Sequence, residues 1–251
     1  MDASVWILIA IAVLIGSYVQ AVAGFAMGMI VMAVGGASSA LPLPALTAVV
    51  SLVSALNIVV ALKGHVHEID RKVITSIACG QLPAIGLGVY LITILDRQAA
   101  DLLQILLGTF IALGSLLMIV RPVASLQVSP RWVCVGAGFS GGLFGGLFAV
   151  SGPVLGWFMY RQPLALATIR ATLLAAFALS TVMRTVIVGA QGDLTALVLG
   201  TSALSVPLVV AGAWLGKVAP PPVSDATLKR GIFSLLVVLG SYIVAKAFVM
   251  P

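Results

Sequence analysis

Gln81-Leu82-Pro83-Ala84-Ile85-Gly86-Leu87-Gly88 and Ser205-Val206-Pro207-Leu208-Val209-Val210-Ala211-Gly212 read as one stretch met twice. A single offset lays Pro83 on Pro207 and Gly88 on Gly212, and it also carries Gly28 onto Gly152 and Ile30 onto Val154. With a slight drift, Leu113-Gly114-Ser115 falls on Leu239-Gly240-Ser241. Weakly similar halves of an apolar chain are the sequence trace of a transporter whose binding site lies between its repeats.

The surrounding composition fixes the solvent. The chain has 251 residues, of which 61% are hydrophobic and 8% charged, and its mean hydropathy is +1.23. A soluble domain carries about 25% charged residues, so these charges cannot cover a globule in water. Apolar runs long enough for a hydrocarbon layer of about 30 Å recur throughout. The expected fold is all-α: a polytopic helical membrane protein of two homologous, inverted repeats, with about 8 spans plus broken or re-entrant glycine-rich helices. The first repeat covers 1–122, a connector 123–131, and the second repeat 132–251.

The net charge of +6 does not point to nucleic acid, because no basic run is longer than Arg71-Lys72 or Lys229-Arg230. Cys79 and Cys134 lie in apolar segments and read as small buried hydrophobes. His65 and His67 lack further ligands nearby and read as solvated loop residues, so neither a metal nor a cofactor is expected. Ala21-Val22-Ala23 resembles a signal-peptide cleavage site, but the acidic start Met1-Asp2-Ala3-Ser4 lacks the positive region such peptides need. Cleavage there would delete the first helix of a repeat. Gly138-Phe139-Ser140-Gly141-Gly142 matches G-x-S-x-G, but a serine hydrolase needs a base beside the nucleophile and neither histidine lies in a span.

Residues 4–40 are apolar throughout, and as one helix they would measure about 55 Å. They either cross once with an unwound middle or form a hairpin. Loop charge decides between these. With a hairpin in each repeat, Lys63, Arg71, Lys72, Arg121, Arg131, Arg161, Lys217, Lys229 and Arg230 gather on one side, leaving Arg97 and Lys246 on the other. The positive-inside rule favours that arrangement. It puts the basic loops in the cytoplasm and both termini outside, and it inverts the second repeat relative to the first. The piece from Gly152 to Tyr160 is too short to span and reads as a re-entrant half-helix.

The waists Gly24 to Gly28 and Gly145 to Pro153 are the expected helix breaks, since irregular backbone inside a membrane must line a cavity or lie against protein. Pro153 suits the first turn of a new helix, and Ser151 is placed to cap it. A half-helix starting at Gly152 would turn free N–H groups and a positive dipole end toward an anion. Close glycine packing between helices is the competing explanation for the same residues.

Arg170 and Arg184 fall inside the apolar run 163–188, whereas every acidic residue lies in a loop or at a helix end. Helical geometry puts the two arginines within about 40° on one face and about 21 Å apart, with Thr181 on that face. Charge within a bilayer marks function by default, and a guanidinium matches the oxygens of sulfite, a sulfonate or a carboxylate. Snorkelling to the headgroups is the plainer account of Arg184, and less so of Arg170. Gln20, Asn57, Gln81, Ser205 and Thr172 are the other polar groups near the axis. Gln81 and Ser205 flank Pro83 and Pro207, where a freed carbonyl needs a partner.

Gln20-Ala-Val-Ala-Gly24-Phe25-Ala-Met-Gly28 in the first half, and Gly138-Phe-Ser-Gly141-Gly-Leu-Phe-Gly145-Gly-Leu-Phe-Ala-Val-Ser-Gly152-Pro153 in the second, resemble the sulfite exporter TauE/SafE family, also called the toluene-sulfonate uptake permease family. The resemblance covers essentially the whole chain. The first half departs from the family pattern, carrying Met27, Met29 and Ile30 in place of a glycine cluster and proline. The resemblance implies transport of sulfur-containing or organic anions across the bacterial inner membrane.

The expectation is therefore a secondary transporter, in the export direction, of small sulfur-containing or organic anions, with a passive anion channel as the alternative. Its site draws on Arg170 as main anion contact, with Ser151, Gly152, Gly24, Gly28, Gln20, Gln81, Ser205, Arg184 and Thr181. Its partners are the anion and the lipid bilayer, and a homo-oligomer is compatible with the sequence.

Overall fold

The computed structural model describes residues 3–23, 25–39, 41–120, 125–219 and 225–249. These residues form ten α-helices: α1 (Ala3–Ala23), α2 (Met27–Ser38), α3 (Leu43–Leu62), α4 (Arg71–Gln98), α5 (Ala100–Ile119), α6 (Arg131–Phe148), α7 (Gly152–Tyr160), α8 (Leu166–Ala190), α9 (Ala196–Val218) and α10 (Asp225–Val249). Among the described residues, α3, α4, α5, α8, α9 and α10 are long and apolar enough to cross a membrane. Their outer faces carry exposed Val59, Leu113, Val186, Val210, Trp214 and Val238, as a lipid-facing surface requires. The eight spans expected from sequence thus resolve into six such helices and two helical hairpins, α1–α2 and α6–α7.

Both hairpins double back on themselves. Ser17 Oγ reaches Met27 Sδ at 3.7 Å, so α2 begins beside the middle of α1. A Cβ on Gly141 would meet Leu155, and one on Gly145 would meet Ser151, so α7 returns along α6. The base of the second hairpin is tied by Ser125 N donating to Arg161 O at 2.7 Å and Ser129 N donating to Gln162 Oε1 at 2.9 Å. The turns use left-handed backbone at non-glycine residues, Ala26 (φ 102°) and Ala149 (φ 56°). Such conformations are strained and cluster at functional sites. The first waist breaks despite Met27, Met29 and Ile30, because Phe25 anchors its turn. The Phe25 ring lies 5.7 Å from Phe233 of α10 and 6.0 Å from Tyr160 of α7.

Glycine sets the packing between hairpins and spans. Gly138 abuts Ile77, Gly142 abuts Gln81 and Gly146 abuts Ile85, so α6 runs parallel to α4 at backbone contact. Gly212 abuts Leu14 and Ser17, and Gly216 abuts Tyr18 and Ala21, so α1 runs parallel to α9 in the same way. Each hairpin therefore packs on the proline-bearing helix of the other half. Exchanging α1–α5 with α6–α10 maps the α4–α6 packing onto α9–α1 and the α3–α9 packing onto α8–α4. It leaves the α3–α8 and α5–α10 packings in place. The hairpins enter from opposite ends of the bundle.

Pro83 and Pro207 sit inside unbroken α4 and α9. Asp70 caps α4, its Oδ1 accepting from Lys72 N at 2.9 Å and Val73 N at 3.0 Å. Asp70 N donates to Thr172 Oγ1 at 3.0 Å, which fixes the basic start of α4 against α8.

A Cβ on Gly138 would sit 2.1 Å from Ile77 O, whereas one on Gly136 meets nothing within 4 Å. Gly138→Ala is expected to force α4 and α6 apart and destabilise the protein by about 1–3 kcal/mol or more. Gly136→Ala should be neutral or slightly stabilising. Thermal unfolding of both variants in detergent checks this, and equal midpoints would refute the packing.

Candidate functional site

The hairpin tips meet at the centre of the bundle. Gly28, in the first turn of α2, faces Ala149 O, and Gly152, the first residue of α7, faces the Phe25 ring. Between them lies a chamber of about 40 Å³, enough for a few water molecules. Its walls include Ala26, Gly28 and Met29 at the start of α2; Val150, Ser151 and Gly152 at the start of α7; Ser54 of α3; and Ser180 and Thr181 of α8. Gln20 closes one side. None of its described lining residues is charged.

Two half-helices therefore begin at one small polar space. The first N–H groups of a helix have no intrahelical acceptor and carry a partial positive charge. Ser151 does not cap α7 as the sequence suggested. Its backbone is helical (φ −102°, ψ −4°), and its side chain makes no capping hydrogen bond. The helix start is left uncapped by that side chain and open to the chamber. Gln20 adds a second signal: it is only 5% exposed, and its Nε2 has no hydrogen-bond partner among the described residues. An unused donor at that depth costs on the order of 1–3 kcal/mol unless something accepts from it.

Arg184 lies one turn of α8 beyond the chamber and is 1% exposed. It does not snorkel, because α8 aims it inward. Nε donates to Gly146 O at 3.0 Å, Nη1 to Ser51 Oγ at 3.2 Å, and Nη2 to Thr47 Oγ1. All three acceptors are neutral. Thr47 and Ser51 are themselves spent on Pro44 O and Thr47 O, so the α3 hydroxyls are held in place for the guanidinium. Arg184 thus binds the tip of α6 to α3 while leaving its charge unneutralised by any described carboxylate.

Arg170 lies elsewhere. It lines a wider vestibule of about 410 Å³ together with Gln20, His65, Glu68 and Lys217, near the ends of α3 and α9. The chamber is therefore bracketed along α8 by Arg170 on one side and Arg184 on the other. Of the other expected site residues, Gln20, Gly28, Ser151, Gly152 and Thr181 line the chamber, while Gly24 lies outside the described residues. Gln81 and Ser205 line neither cavity. Gln81 Nε2 donates to Ala176 O at 3.1 Å and Ser205 Oγ to Thr201 O at 2.8 Å, both satisfying helix carbonyls. Asn57 is buried and also lines neither.

A family model for the sulfite exporter TauE/SafE matches residues 8–243. The chain belongs to the TauE/SafE family. It is 39% identical over 232 residues to the probable sulfite/organosulfonate exporter TauE of Cupriavidus necator, which covers 92% of this chain and 91% of that protein. No solved structure gives a significant match. TauE/SafE proteins are transporters, so this chain is a multi-pass membrane transporter and not an enzyme.

Sequence reasoning missed Ser54, Ser180 and the Thr47–Ser51 pair. Their signal was present: 47, 51 and 54 follow helical spacing on α3, and 177, 180, 181 and 184 do so on α8. Arg184→Met is expected to leave a folded protein, since replacing a buried ion by an apolar side chain of similar volume is often near neutral. Transport should fall by a factor of about ten or more. Normal flux in that variant would remove Arg184 from the site.

Proposed function

We propose that this protein exports small sulfur-containing oxyanions, sulfite or sulfonates, across the bacterial inner membrane by alternating access. The observation that carries the reading is the convergence of the α2 and α7 starts on a chamber with no carboxylate among its described lining residues. Helix N-termini and hydroxyls are the groups that bind an anion stripped of water, as half-helix starts do in other transporters. The name of the Cupriavidus necator relative supports the same substrate class. The chamber's small volume suits a compact oxyanion; a sulfonate with an organic tail needs the hairpin tips to part.

We further infer that residues 1–122 and 132–251 are inverted repeats, joined by the connector 123–131. The exchangeable packing and the opposite directions of the hairpins support this. Rocking one hairpin pair against the other would then open the chamber to either side. The basic loops favour a cytoplasmic vestibule, with both termini in the periplasm. Reporter fusions at the two ends test this orientation.

The deciding experiment is flux into sealed proteoliposomes from sulfite, sulfonates, thiosulfate and carboxylates. Saturable uptake of the sulfur oxyanions is expected, accelerated by the same anion on the far side. Non-saturating flux without counterflow would make the protein a channel, and no anion flux at all would reject the proposal.

A further inference from the structure

We propose that the vestibule is a second binding site for a small oxyanion, in series with the chamber, and that the Gln20 carboxamide forms the wall across which the ion is handed. The inference rests on the anion-transport reading and adds residues that reading does not use.

Three observations carry it. First, the vestibule holds cationic groups suited to an oxyanion. Arg170 and Lys217 line it, and Lys217 Nζ donates to Val60 O at 3.0 Å, which holds the ammonium at the mouth. An ammonium has three donors, so this bond leaves two for a ligand. Second, Glu68, the one carboxylate among the described lining residues of the vestibule, faces His65, with Nδ1 3.4 Å from Oε1. His67 Nε2 lies 3.9 Å from the same oxygen. Glu68 Oε1 thus faces the two imidazoles of the loop. Third, Gln20 lines both cavities, and its buried Nε2 has no hydrogen-bond partner among the described residues.

The two sites differ in kind. The vestibule captures through side-chain charge, while the chamber offers backbone dipoles, hydroxyls and an amide. A path that draws an ion in and still releases it needs sites that are favourable but not individually too tight. Capture at Arg170 and Lys217 followed by transfer past Gln20 provides that gradation. A neutral amide suits the handover because it donates to the anion without trapping it as a third cation would.

Binding of sulfite to the purified full-length protein in a neutral detergent tests the arrangement, alongside flux in vesicles of phosphatidylcholine alone. The wild type should bind at two sites. Lys217→Ala, an exposed position, should lose or weaken one of them and raise KM about tenfold with kcat preserved. Gln20→Leu should keep vestibule binding and lower kcat, and Gln20→Asn should recover part of it. Unchanged stoichiometry and KM in Lys217→Ala, with a wild type that transports normally, overturns the second site but not the transport reading. An effect of Lys217→Ala seen only after adding anionic lipid makes a headgroup the ligand and also overturns it. A wild type that neither binds nor moves any anion overturns both.

Discussion

Arg184 is a guanidinium held inside the bundle by a backbone carbonyl and two hydroxyls. Burying such a charge costs several kcal/mol even after relaxation, on the order given by ion-pair studies. Hydrogen bonds to neutral groups offset part of that cost but leave the charge in place. The same bonds fasten the tip of α6 to α3 and α8, so the buried charge also positions the chamber wall. With the starts of α2 and α7 on the other sides, the centre of the molecule gathers partial and full positive charge, with no carboxylate beside it among the described residues.

The rest of the architecture brings the tips to that point. Glycine rows on α4, α6 and α9 let the backbones of α4 and α6, and of α9 and α1, touch, which fixes how deep each hairpin sits. Aromatic stacks then hold the tips from turning: Phe25 on Phe233, and Phe148 on Phe110 at 6.0 Å. One offset carries Phe25 to Phe148 and Phe110 to Phe233, so each stack is the exchanged image of the other. The strained Ala26 and Ala149 sit between these anchors, where the packing determines their conformation.

Much of this was legible in the chain. The recurrence of Pro83 at Pro207 and the one-sided distribution of lysine and arginine led to hairpins, and Gly152 to Tyr160 is a half-helix as its length implied. Arg184 was misjudged because distance from a helix end says nothing about which way a side chain turns. Its partners, Thr47 and Ser51, come from a helix more than a hundred residues away in sequence, and no local pattern joins them to it. Gln81 had a structural explanation in the proline it flanks, and its amide serves a carbonyl of α8. The vestibule escaped notice because Lys217 and His65 read singly as loop residues, and only folding sets them around Arg170.

The central claim is that the chamber accepts anions because its fixed field is positive. It is tested most directly by placing a carboxylate on the wall at Ser54, a buried chamber residue on α3. Sulfite flux through Ser54→Asp should be lost while the near-isosteric, neutral Ser54→Asn retains it. Equal flux through the two variants would contradict the account.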